Sequence, residues 1–546
     1  MHSWLKTTTT LLLLSSAMTA ADSVAFSNTP ALAEVPAGRL RDDLVKLPVA
    51  ARAKALQRLA GAPTADAHSL RSRADGQLLY QCAALDHGTR AAQDAASPAL
   101  KLKAVGHSSV PISSPPIHHS KPGSKNVLYL DFNGATVSGT HWNTEYNVTT
   151  YVAKPYSIDS DLTTFSDIEQ AAIFTIWDRV SEDYSSFDID VTTEEPATFT
   201  DTTAWAVITP TTDANGKDLP HKGYGGVAWL DVFGQPNYHK TESPVWVTDM
   251  TVFAIADAAS HEVGHNLSLK HDGSAAQGEY LSGFSATTAS PSWGPIMGAP
   301  YDMTLSQWSK GDYAGATNHE DDLAIIATKL GYLPDDNGNT TATASSLRAT
   351  ANVFAVTGVI ERTGDIDVFQ VNLGEGPIII TALPHVSTGS TSGGNLDAKL
   401  TLISSTNEVL ATSNFPALTP AQIIGTINKA GTYFLQVEGV GSGDPQATRP
   451  SGATNYGSIG QYILFSGAAP GTTTSGSTTA GVTTGGGTSG VTNPVTDPGT
   501  GGGTTSGGTP SYSAAQGSSS HCGLGGGALA LIATCALALW TASRRR

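Results

Sequence analysis

Cysteine is scarce in this chain, which contains three cysteines in 546 residues. Cys82 lies near the N-terminus, Cys522 and Cys535 lie near the C-terminus, and none occurs between residues 83 and 521. This distribution excludes a disulfide framework for the central part of the chain, although such frameworks are common in exported proteins. We therefore expect core packing and bound metal ions to stabilise the folded part.

Positive charge is also scarce, with 30 lysines and arginines against 47 aspartates and glutamates and a formal net charge of −17. This balance argues against nucleic acid and anionic membrane surfaces as partners, and it suits a soluble, exported protein. At 546 residues the chain is too long for one ordinary core. We therefore expect two or more domains with flanking segments.

Long apolar runs are rare. The N-terminus, MHSWLKTTTTLLLLSSAMTAADS, predicts a secretory signal peptide over 1–21 that is too short for a permanent anchor. In residues 521–546, about 19 small and apolar residues precede three arginines, which predicts a transmembrane or sorting segment. The segment is either a permanent anchor or, since it resembles the C-terminal sorting signals of Gram-negative bacteria, a signal that is cut. We therefore expect secretion, or display on the surface of a Gram-negative bacterium, with no other membrane contact.

The composition divides the rest of the chain into segments. Residues 22–115 contain helical runs such as RDDLVKLPVAARAKALQRLAG and end in a Pro-, Ser- and Gly-rich stretch. This pattern favours a helical propeptide ahead of a folded core, with an ordinary N-terminal helical domain as the alternative. Residues 469–520 consist mainly of Gly, Thr and Ser, which predicts a flexible or glycosylated linker.

Residues 116–334 and 345–468 predict an α+β fold followed by an all-β domain. In the first range, strand patterns such as NVLYLDFNG and GGVAWLDVF alternate with helices such as FSDIEQAAIFTIWDRVSEDY, where Ser166 and Glu169 form a capping box. This order favours a twisted mixed sheet under helices. In the second range only strand and turn patterns occur, including DIDVFQVNL and GTYFLQVEGV, which predicts a β-sandwich.

The stretch HEVGHNLSLKHD, from His261 to Asp272, carries the candidate chemistry. A helix advances 100° per residue, so His261 and His265 lie about 40° apart on one face and can bind one metal ion. Glu262 reaches the rim of that face, where a general base belongs. His271 can join the ligands only if the helix ends and the chain turns back. Separate packed or solvated histidines are the alternative, but this combination rarely arises by coincidence.

The residue types in this motif point to zinc. Three neutral imidazoles, from His261, His265 and His271, leave zinc an open position for water and a charge that lowers the pKa of that water. Glu262 can take the proton of the water and pass it to a departing amine. The motif therefore predicts one catalytic zinc ion and peptide-bond hydrolysis without a covalent intermediate.

The same stretch resembles the zinc signature of the metzincin metalloproteases, and its HNL and HD parts are most similar to the adamalysin, or reprolysin, branch. The resemblance implies a methionine turn beneath the metal, for which Met297 in WGPIMGAPY is the candidate, 26 residues after His271. It implies that Asp272 accepts hydrogen bonds that tie the loop of the third histidine to that turn. It also implies that GGVAWLDVF is an edge strand on which an extended polypeptide substrate lies antiparallel. An ordinary core methionine and a surface aspartate are the alternatives.

Two positions depart from the family pattern. Ser268 stands where the family has glycine, whose positive φ ends the helix, and a serine in that conformation costs on the order of 1 kcal/mol. Tyr301 follows Met297 by four residues, whereas some metzincins place a metal-proximal tyrosine two residues after the methionine. We therefore do not assign Tyr301 as a ligand, although it could line the pocket or stabilise an oxyanion.

Cys82, in DGQLLYQCAALDHG, raises the idea of a latency switch. A propeptide thiolate could occupy the fourth position on zinc and keep the enzyme inactive until cleavage. A buried propeptide cysteine without this role is the favoured alternative, because the flanking residues match no switch motif.

The all-β region resembles the bacterial pre-peptidase C-terminal (PPC) domain through TGDIDVFQVNL, NLDAKLTLISSTNEVLATSN and AGTYFLQVEGVGSG. Such domains accompany secreted proteases and are often removed late or used to bind substrate. Asp336, Asn339, Asp365 and Asp367 could gather around calcium, a hard ion suited to carboxylate and amide oxygens. For each position, a polar turn residue that caps a strand is the alternative.

Together these features predict a secreted or surface-tethered zinc endopeptidase that cleaves extracellular proteins and acts as a monomer. One alternative is a catalytically weak or inactive surface adhesin or matrix-binding protein on a metzincin-like scaffold. The presence of Glu262 argues against it, since inactive relatives commonly lose this base. Another alternative is a metallohydrolase of small esters or amides, against which the expected edge strand argues.

Overall fold

The structure is a computed structural model that describes residues 25–83, 108–301, 303–385 and 392–467, and the backbone of 512–514. The predicted signal peptide at 1–21 and the C-terminal segment at 521–546 lie outside the described residues, as does most of the predicted linker. Within the described residues, no helix combines the length and the apolar character that a membrane span requires.

The helices that the structure describes are α1 (Arg39–Lys46), α2 (Val49–Arg58), α3 (His141–Glu145), α4 (Asp167–Asp183), α5 (Tyr238–Thr241), α6 (Val252–Asn266) and α7 (Asp322–Leu330). Short 3-10 turns occur at Leu32–Glu34 and Thr64–His68. Helix α4 begins where the sequence predicts, because Ser166 and Glu169 form the capping box. The Glu169 amide donates to the Ser166 hydroxyl at 3.4 Å, and the Ser166 amide donates to the Glu169 carboxylate at 2.8 Å.

The strands of the first part are β1 (Leu70–Ser72), β2 (Leu78–Ala83), β3 (Val110–Pro111), β4 (Val127–Asp131), β5 (Thr136–Ser138), β6 (Thr150–Val152), β7 (Thr164–Phe165), β8 (Asp190–Thr192), β9 (Thr203–Thr209), β10 (Tyr224–Trp229), β11 (Val245–Thr248), β12 (Trp293–Pro295) and β13 (Leu305–Gln307). Those of the second part are β14 (Ser345–Leu347), β15 (Ala355–Ile360), β16 (Ile366–Leu373), β17 (Gly376–Pro384), β18 (Ala398–Ser404), β19 (Val409–Ser413), β20 (Ala421–Ile427), β21 (Gly431–Gly439), β22 (Ser442–Asp444), β23 (Ser451–Ala453), β24 (Gly460–Gly467) and β25 (Tyr512–Ala514).

A seven-stranded sheet with the order β1-β2-β10-β11-β9-β4-β8 organises the first part. It is mixed, as the sequence predicts: β4 runs parallel to β8 and β9, and β9 runs parallel to β11, whereas β10 is antiparallel to β11. Strand β2 is antiparallel to β10 and β1 is antiparallel to β2. The segment predicted as a helical propeptide therefore contributes two strands to this sheet, in addition to the helices α1 and α2.

Helix α6 is held between the sheet and α4. It contacts β9, β10 and β11 on one side and α4 on the other. Side chains of both helices, including Ile176, Val180, Ile255 and Val263, are buried in one hydrophobic core. This packing fixes the helix that carries His261 and His265 against the edge where β2 meets β10.

The second part consists of strands, as the sequence predicts for an all-β region. They form two five-stranded sheets, with the orders β14-β16-β21-β18-β19 and β15-β24-β17-β20-β25. Strand β18 of the first sheet contacts β17 and β20 of the second, and β24 contacts α4 of the first part. Buried residues such as Val371 and Ile380 belong to the same hydrophobic core as α4 and α6.

Candidate metal centre

The end of α6 brings the third histidine back to the first two. The helix ends at Asn266, and Ser268 follows with a φ of +97°, the positive value that the sequence predicts at this position. The amide of Leu269 then donates to the Gly264 carbonyl at 2.9 Å. The chain therefore turns back on the helix, and His271 faces His261 and His265.

The three imidazoles converge through their Nε2 atoms. The Nε2 atoms of His265 and His271 are 3.2 Å apart, and the centroids of the three rings are 4.8 to 5.2 Å apart. All three residues are buried. Among the described residues, the Nε2 atom of His261 has no hydrogen-bond partner. A buried, unpaired nitrogen aimed at two others is what a metal site requires.

The opposite nitrogens of the rings are held by the protein. Nδ1 of His261 lies 2.9 Å from the carbonyl oxygen of Ile296, and Nδ1 of His265 lies 2.8 Å from that of Leu269. Nδ1 of His271 lies 2.9 Å from Oε1 of Glu279. Each contact offers an acceptor to an N–H at Nδ1, which leaves Nε2 as the nitrogen that can bind a metal.

Burial keeps the first two imidazoles neutral. Burial is the largest cause that lowers the pKa of His261 to about 3, and the charge of His271 acts in the same direction. Burial is the largest cause that lowers the pKa of His265 well below its ordinary value, and the charges of His261 and His271 lower it further. Neutral imidazole is the form that binds zinc, so the donor set fits this ion.

Cys82 completes a four-atom cluster with these histidines. Its Sγ lies 3.3 Å from Nε2 of His265 and 3.4 Å from Nε2 of His271, and the four ligand atoms lie within 4.8 Å of one another. Cys82 reaches this position because it pairs with Gly226 in the register of β2 and β10. Burial is the largest cause that raises the pKa of the Cys82 thiol well above its ordinary value, and the charge of Glu262 raises it further. One sulfur and three nitrogens match the tetrahedral preference of zinc.

Glu262 lies at the edge of this cluster. It is buried, and in the described part of the chain its Oε2 has no hydrogen-bond partner. Burial raises the pKa of Glu262 to about 8, although its contact with Cys82 lowers the pKa. Strand β10 passes close by, because a Cβ atom built on Gly226 would lie 2.4 Å from Oε1 of Glu262. A proton-accepting group therefore borders the space that the three Nε2 atoms enclose.

Met297 packs against the helix that carries His261 and His265. A Cβ atom on Gly264, between the two helical histidines, would lie 2.6 Å from the sulfur of Met297. The amide of Asp272 donates to the Met297 carbonyl at 2.8 Å. The tie between the histidine loop and the methionine turn therefore uses the backbone of Asp272, whereas the sequence analysis assigned it to the carboxylate. Among the described residues, Oδ2 of Asp272 has no hydrogen-bond partner, and burial raises the pKa of Asp272 well above its ordinary value.

Tyr301 lies within electrostatic reach of the centre. Burial raises its pKa, and the charges of Asp257, Cys82 and Glu262 act in the same direction. Its suggested part in the pocket or in oxyanion stabilisation stays a prediction.

The structure adds residues around the centre that the sequence analysis missed. Tyr80 stacks on His265 with ring centroids 3.9 Å apart, and its hydroxyl donates to the buried Asp66 at 2.5 Å. Tyr280 packs on His271 with centroids 4.3 Å apart, next to Glu279. In the sequence these residues lie 8 to 205 positions from His271, without a motif around them, so only the folded chain reveals the contacts.

The four residues predicted to bind calcium lie around one acidic cluster. Carboxylate oxygens of Asp335, Glu361 and Asp365 lie within 4.8 Å of one another. Burial is the largest cause that raises the pKa of Asp367, and the nearby charges of Asp336 and Asp365 raise it further. The side chain of Asn339 donates to Asp335 at 3.2 Å. In the described chain, Oε2 of the buried Glu361 and Oδ1 of the buried Asp367 have no hydrogen-bond partner. Asp335 and Glu361 also belong to this cluster, although no sequence pattern predicts them there.

Solved structures offer faint likenesses. The match to the pre-peptidase C-terminal domain of a collagenase from Bacillus anthracis covers 24% of this chain and 100% of the collagenase domain, at 17% identity and a TM-score of 0.16. The match to PliG from Aeromonas hydrophila, a periplasmic inhibitor of g-type lysozyme, covers 22% of this chain and 95% of the PliG chain, at 12% identity and a TM-score of 0.15. The match to PliG from Salmonella Typhimurium covers 23% of this chain and 97% of the PliG chain, at 13% identity and a TM-score of 0.14. TM-scores this low support no conclusion.

Sequence comparison is more informative about the centre. No curated protein matches this chain. Residues 155–272 match the family model described as metallo-peptidase family M12B, reprolysin-like. The matched range includes α4, β10 and α6, and it ends at the residue after the third histidine. It supports a zinc-dependent peptidase, which is a hydrolase of polypeptides.

Proposed function

We propose that the chain is an exported zinc endopeptidase of the metzincin type that cleaves extracellular proteins. The observation that carries the proposal is the convergence of three buried imidazoles on one point beside the buried carboxyl of Glu262. When bound there, zinc would polarise the scissile carbonyl and lower the pKa of a water molecule. Met297 supports the ligands from below, and the backbone of Asp272 holds the loop in place.

The residues of the chain supply substrate alignment and proton transfer. A polypeptide that lies antiparallel to β10 uses the backbone groups that β2 uses in this structure, which sets its main chain across the centre. Glu262 accepts the proton of the attacking water and returns it to the departing amine, because it borders the space where the peptide group enters. No side chain forms a covalent intermediate.

We further propose that residues 22–115 are a propeptide and that β2 keeps the enzyme latent. Two observations support the idea. Strand β2 occupies the edge of β10 that an extended substrate would need, and Cys82 on that strand places its sulfur among the three Nε2 atoms. Cleavage between residues 84 and 107, which include Arg90, Lys101 and Lys103, would free β2 to leave.

The remaining expectations are also proposals. Calcium is the ion that best suits the cluster around Asp365, because three carboxylates lie within 4.8 Å of one another and, among the described residues, Oε2 of Glu361 has no hydrogen-bond partner. We propose that the two C-terminal sheets form the expected PPC-like β-sandwich. Export by the signal peptide, attachment or sorting through residues 521–546 and a monomeric state complete the proposal.

The proposal is tested on the full chain and on a Glu262→Gln variant, each before and after limited trypsin cleavage. We expect one zinc ion per chain in both by elemental analysis, and cleavage of casein by the trypsin-treated wild type alone. The trypsin is inhibited before casein is added, and trypsin without the chain is the blank. Zinc binding without cleavage of casein or of a peptide library would favour the adhesin, and cleavage restricted to small esters or amides would favour the other metallohydrolase.

A further inference from the structure

The hydroxyl of Tyr280 is bound entirely by the segment that covers the centre. It lies 3.0 Å from Oγ of Ser69, accepts a hydrogen bond from the amide of Ala83 at 3.3 Å, and contacts the side chain of Cys82. All three partners belong to residues 25–83, and no other hydrogen bond of this hydroxyl occurs among the described residues. When β1 and β2 leave, the hydroxyl becomes available to whatever replaces them.

The atom that Tyr280 contacts marks the position of the reacting group. The sulfur of Cys82 lies beside Nε2 of His265 and His271, with Glu262 and Tyr280 also in contact with it. It stands in for the polar atom of a substrate that would enter the same space. A base and a hydroxyl donor therefore border one position, which is the arrangement that attack on a carbonyl requires.

Tyr280 is held in place without help from residues 25–83. On one side, Glu279 is bound to Nδ1 of His271 at 2.9 Å. On the other side, the amide of Leu281 donates to the carbonyl of Asp272 at 2.7 Å, and the ring itself packs on His271. The hydroxyl is therefore positioned before substrate binds, so using it costs little reorganisation.

We propose that Tyr280 is a catalytic residue whose hydroxyl donates a hydrogen bond to the carbonyl oxygen of the scissile peptide as that oxygen gains negative charge. The inference rests on the proposed peptidase function, and it names the oxyanion donor of that site. The hydroxyl keeps its own proton throughout, so Glu262 remains the group that transfers protons. Tyr301, which the sequence suggested for oxyanion stabilisation, is the competing donor.

The test compares Tyr280→Phe, Tyr301→Phe and Tyr332→Phe in the trypsin-activated full chain. The last variant is a matched control, because Tyr332 stacks on Phe187, away from the centre. We expect Tyr280→Phe to lower kcat by about 10²- to 10³-fold with little change in KM, which is the usual effect of losing one oxyanion donor. We expect zinc content to stay at the wild-type value.

Binding supplies a readout that does not depend on turnover. A phosphinic peptide carries a tetrahedral anionic group in place of the scissile peptide, so its Kd should weaken by roughly tenfold or more in Tyr280→Phe and stay unchanged in Tyr332→Phe. Wild-type kcat in Tyr280→Phe, or loss in Tyr301→Phe alone, would overturn the assignment. Loss of zinc in Tyr280→Phe would also overturn it, because Tyr280 would then support the metal site structurally rather than act as a hydrogen-bond donor. If the activated wild type neither binds zinc nor cleaves peptides, the peptidase proposal itself fails and this one falls with it.

Discussion

At the scale of single residues, the centre depends on the absence of a side chain at Gly226. This residue pairs with Cys82, and β10 passes so close to Glu262 that a Cβ atom on Gly226 would lie 2.4 Å from Oε1 and 2.5 Å from Cγ. Real Cβ atoms do not approach other atoms so closely, and packed interiors yield little. Strand β10 therefore sets the position of the Glu262 carboxylate.

Gly226→Ala should displace Glu262 and remove its catalysis. General-base catalysis contributes about 10²- to 10⁴-fold, so we expect kcat/KM of the activated chain to fall by about 10²-fold or more, with normal zinc content. Peptide cleavage and elemental analysis provide the measurements. Gly431→Ala is the matched control, because a Cβ atom there meets nothing within 4 Å. Wild-type activity in Gly226→Ala would show that Glu262 can move without loss.

Ser268 stores strain where α6 ends. Its φ of +97° lies in a region that disfavours side chains, so Ser268→Gly should raise the free energy of unfolding by about 1 kcal/mol. Ser268→Ala removes the same hydroxyl but keeps the Cβ atom, and it should give no such gain. Chemical denaturation of the two variants separates the effects. Equal stability of both variants and the wild type would contradict the strain at this position.

Helical periodicity was enough to predict from sequence that the three histidines converge. His261, Glu262 and His265 lie on one turn of helix, and the need to stop that helix predicted both the return of His271 and the positive φ of Ser268. The same reasoning could not find Tyr280 or Glu279, because they belong to an irregular loop whose position depends on the fold. Nor could it assign Asp272 correctly, since backbone and carboxylate ties look alike in a sequence.

At the scale of elements, the largest difference from the sequence analysis is the insertion of β1 and β2 into the main sheet. The runs that form α1 and α2 were read correctly as helical. The stretch that forms β2 is short, and its partner β10 lies 141 to 150 residues further along the chain, from Tyr224 opposite Ala83 to Trp229 opposite Leu79. Sequence pattern predicts a strand's existence better than its partner, so the covering of β10 was not foreseen.

Cys82→Ala tests whether the thiol contributes to latency. Loss of the sulfur removes one ligand from the closed state, and each loss of about 1.4 kcal/mol raises the open population about tenfold. We expect the uncleaved variant to cleave peptides at least about tenfold faster than the uncleaved wild type, yet more slowly than the cleaved chain, because β2 still pairs with β10. Equal activity of both chains after cleavage is the control. Equal inactivity before cleavage would assign latency to the strand alone.

At the scale of the whole molecule, the two C-terminal sheets are joined to the first part of the chain through buried polar contacts. Arg179 on α4 binds Asp257 on α6 at 2.8 Å and donates to the carbonyl of Ser392 at 2.9 Å. Glu182, also on α4, accepts hydrogen bonds from the amide and side chain of Gln461 on β24 at 3.1 and 2.8 Å. Helices that frame the centre thus depend on the C-terminal region, which argues for one folding unit rather than a detachable module.

The buried Glu182 makes the stability of this junction depend on pH. Burial raises its pKa from 4.5 to about 7, although the charge of His385 and the contacts with Gln461 oppose the shift. Between these values the unfolded chain releases the proton while the folded chain keeps it. Stability therefore falls as pH rises from about 4.5 to about 7, by at most about 3 kcal/mol from this group.

Glu182→Gln should flatten that part of the pH profile, because an amide cannot ionise and still offers an acceptor to Gln461. We expect the difference in unfolding free energy between pH 5 and pH 7.5 to shrink by on the order of 2 kcal/mol relative to the wild type. Urea denaturation at a series of pH values measures it. Glu408→Gln, the same chemical change at an exposed turn, is the matched control. An identical profile in Glu182→Gln and the wild type would mean that this carboxyl ionises freely, and that the contact between α4 and β24 is open to water.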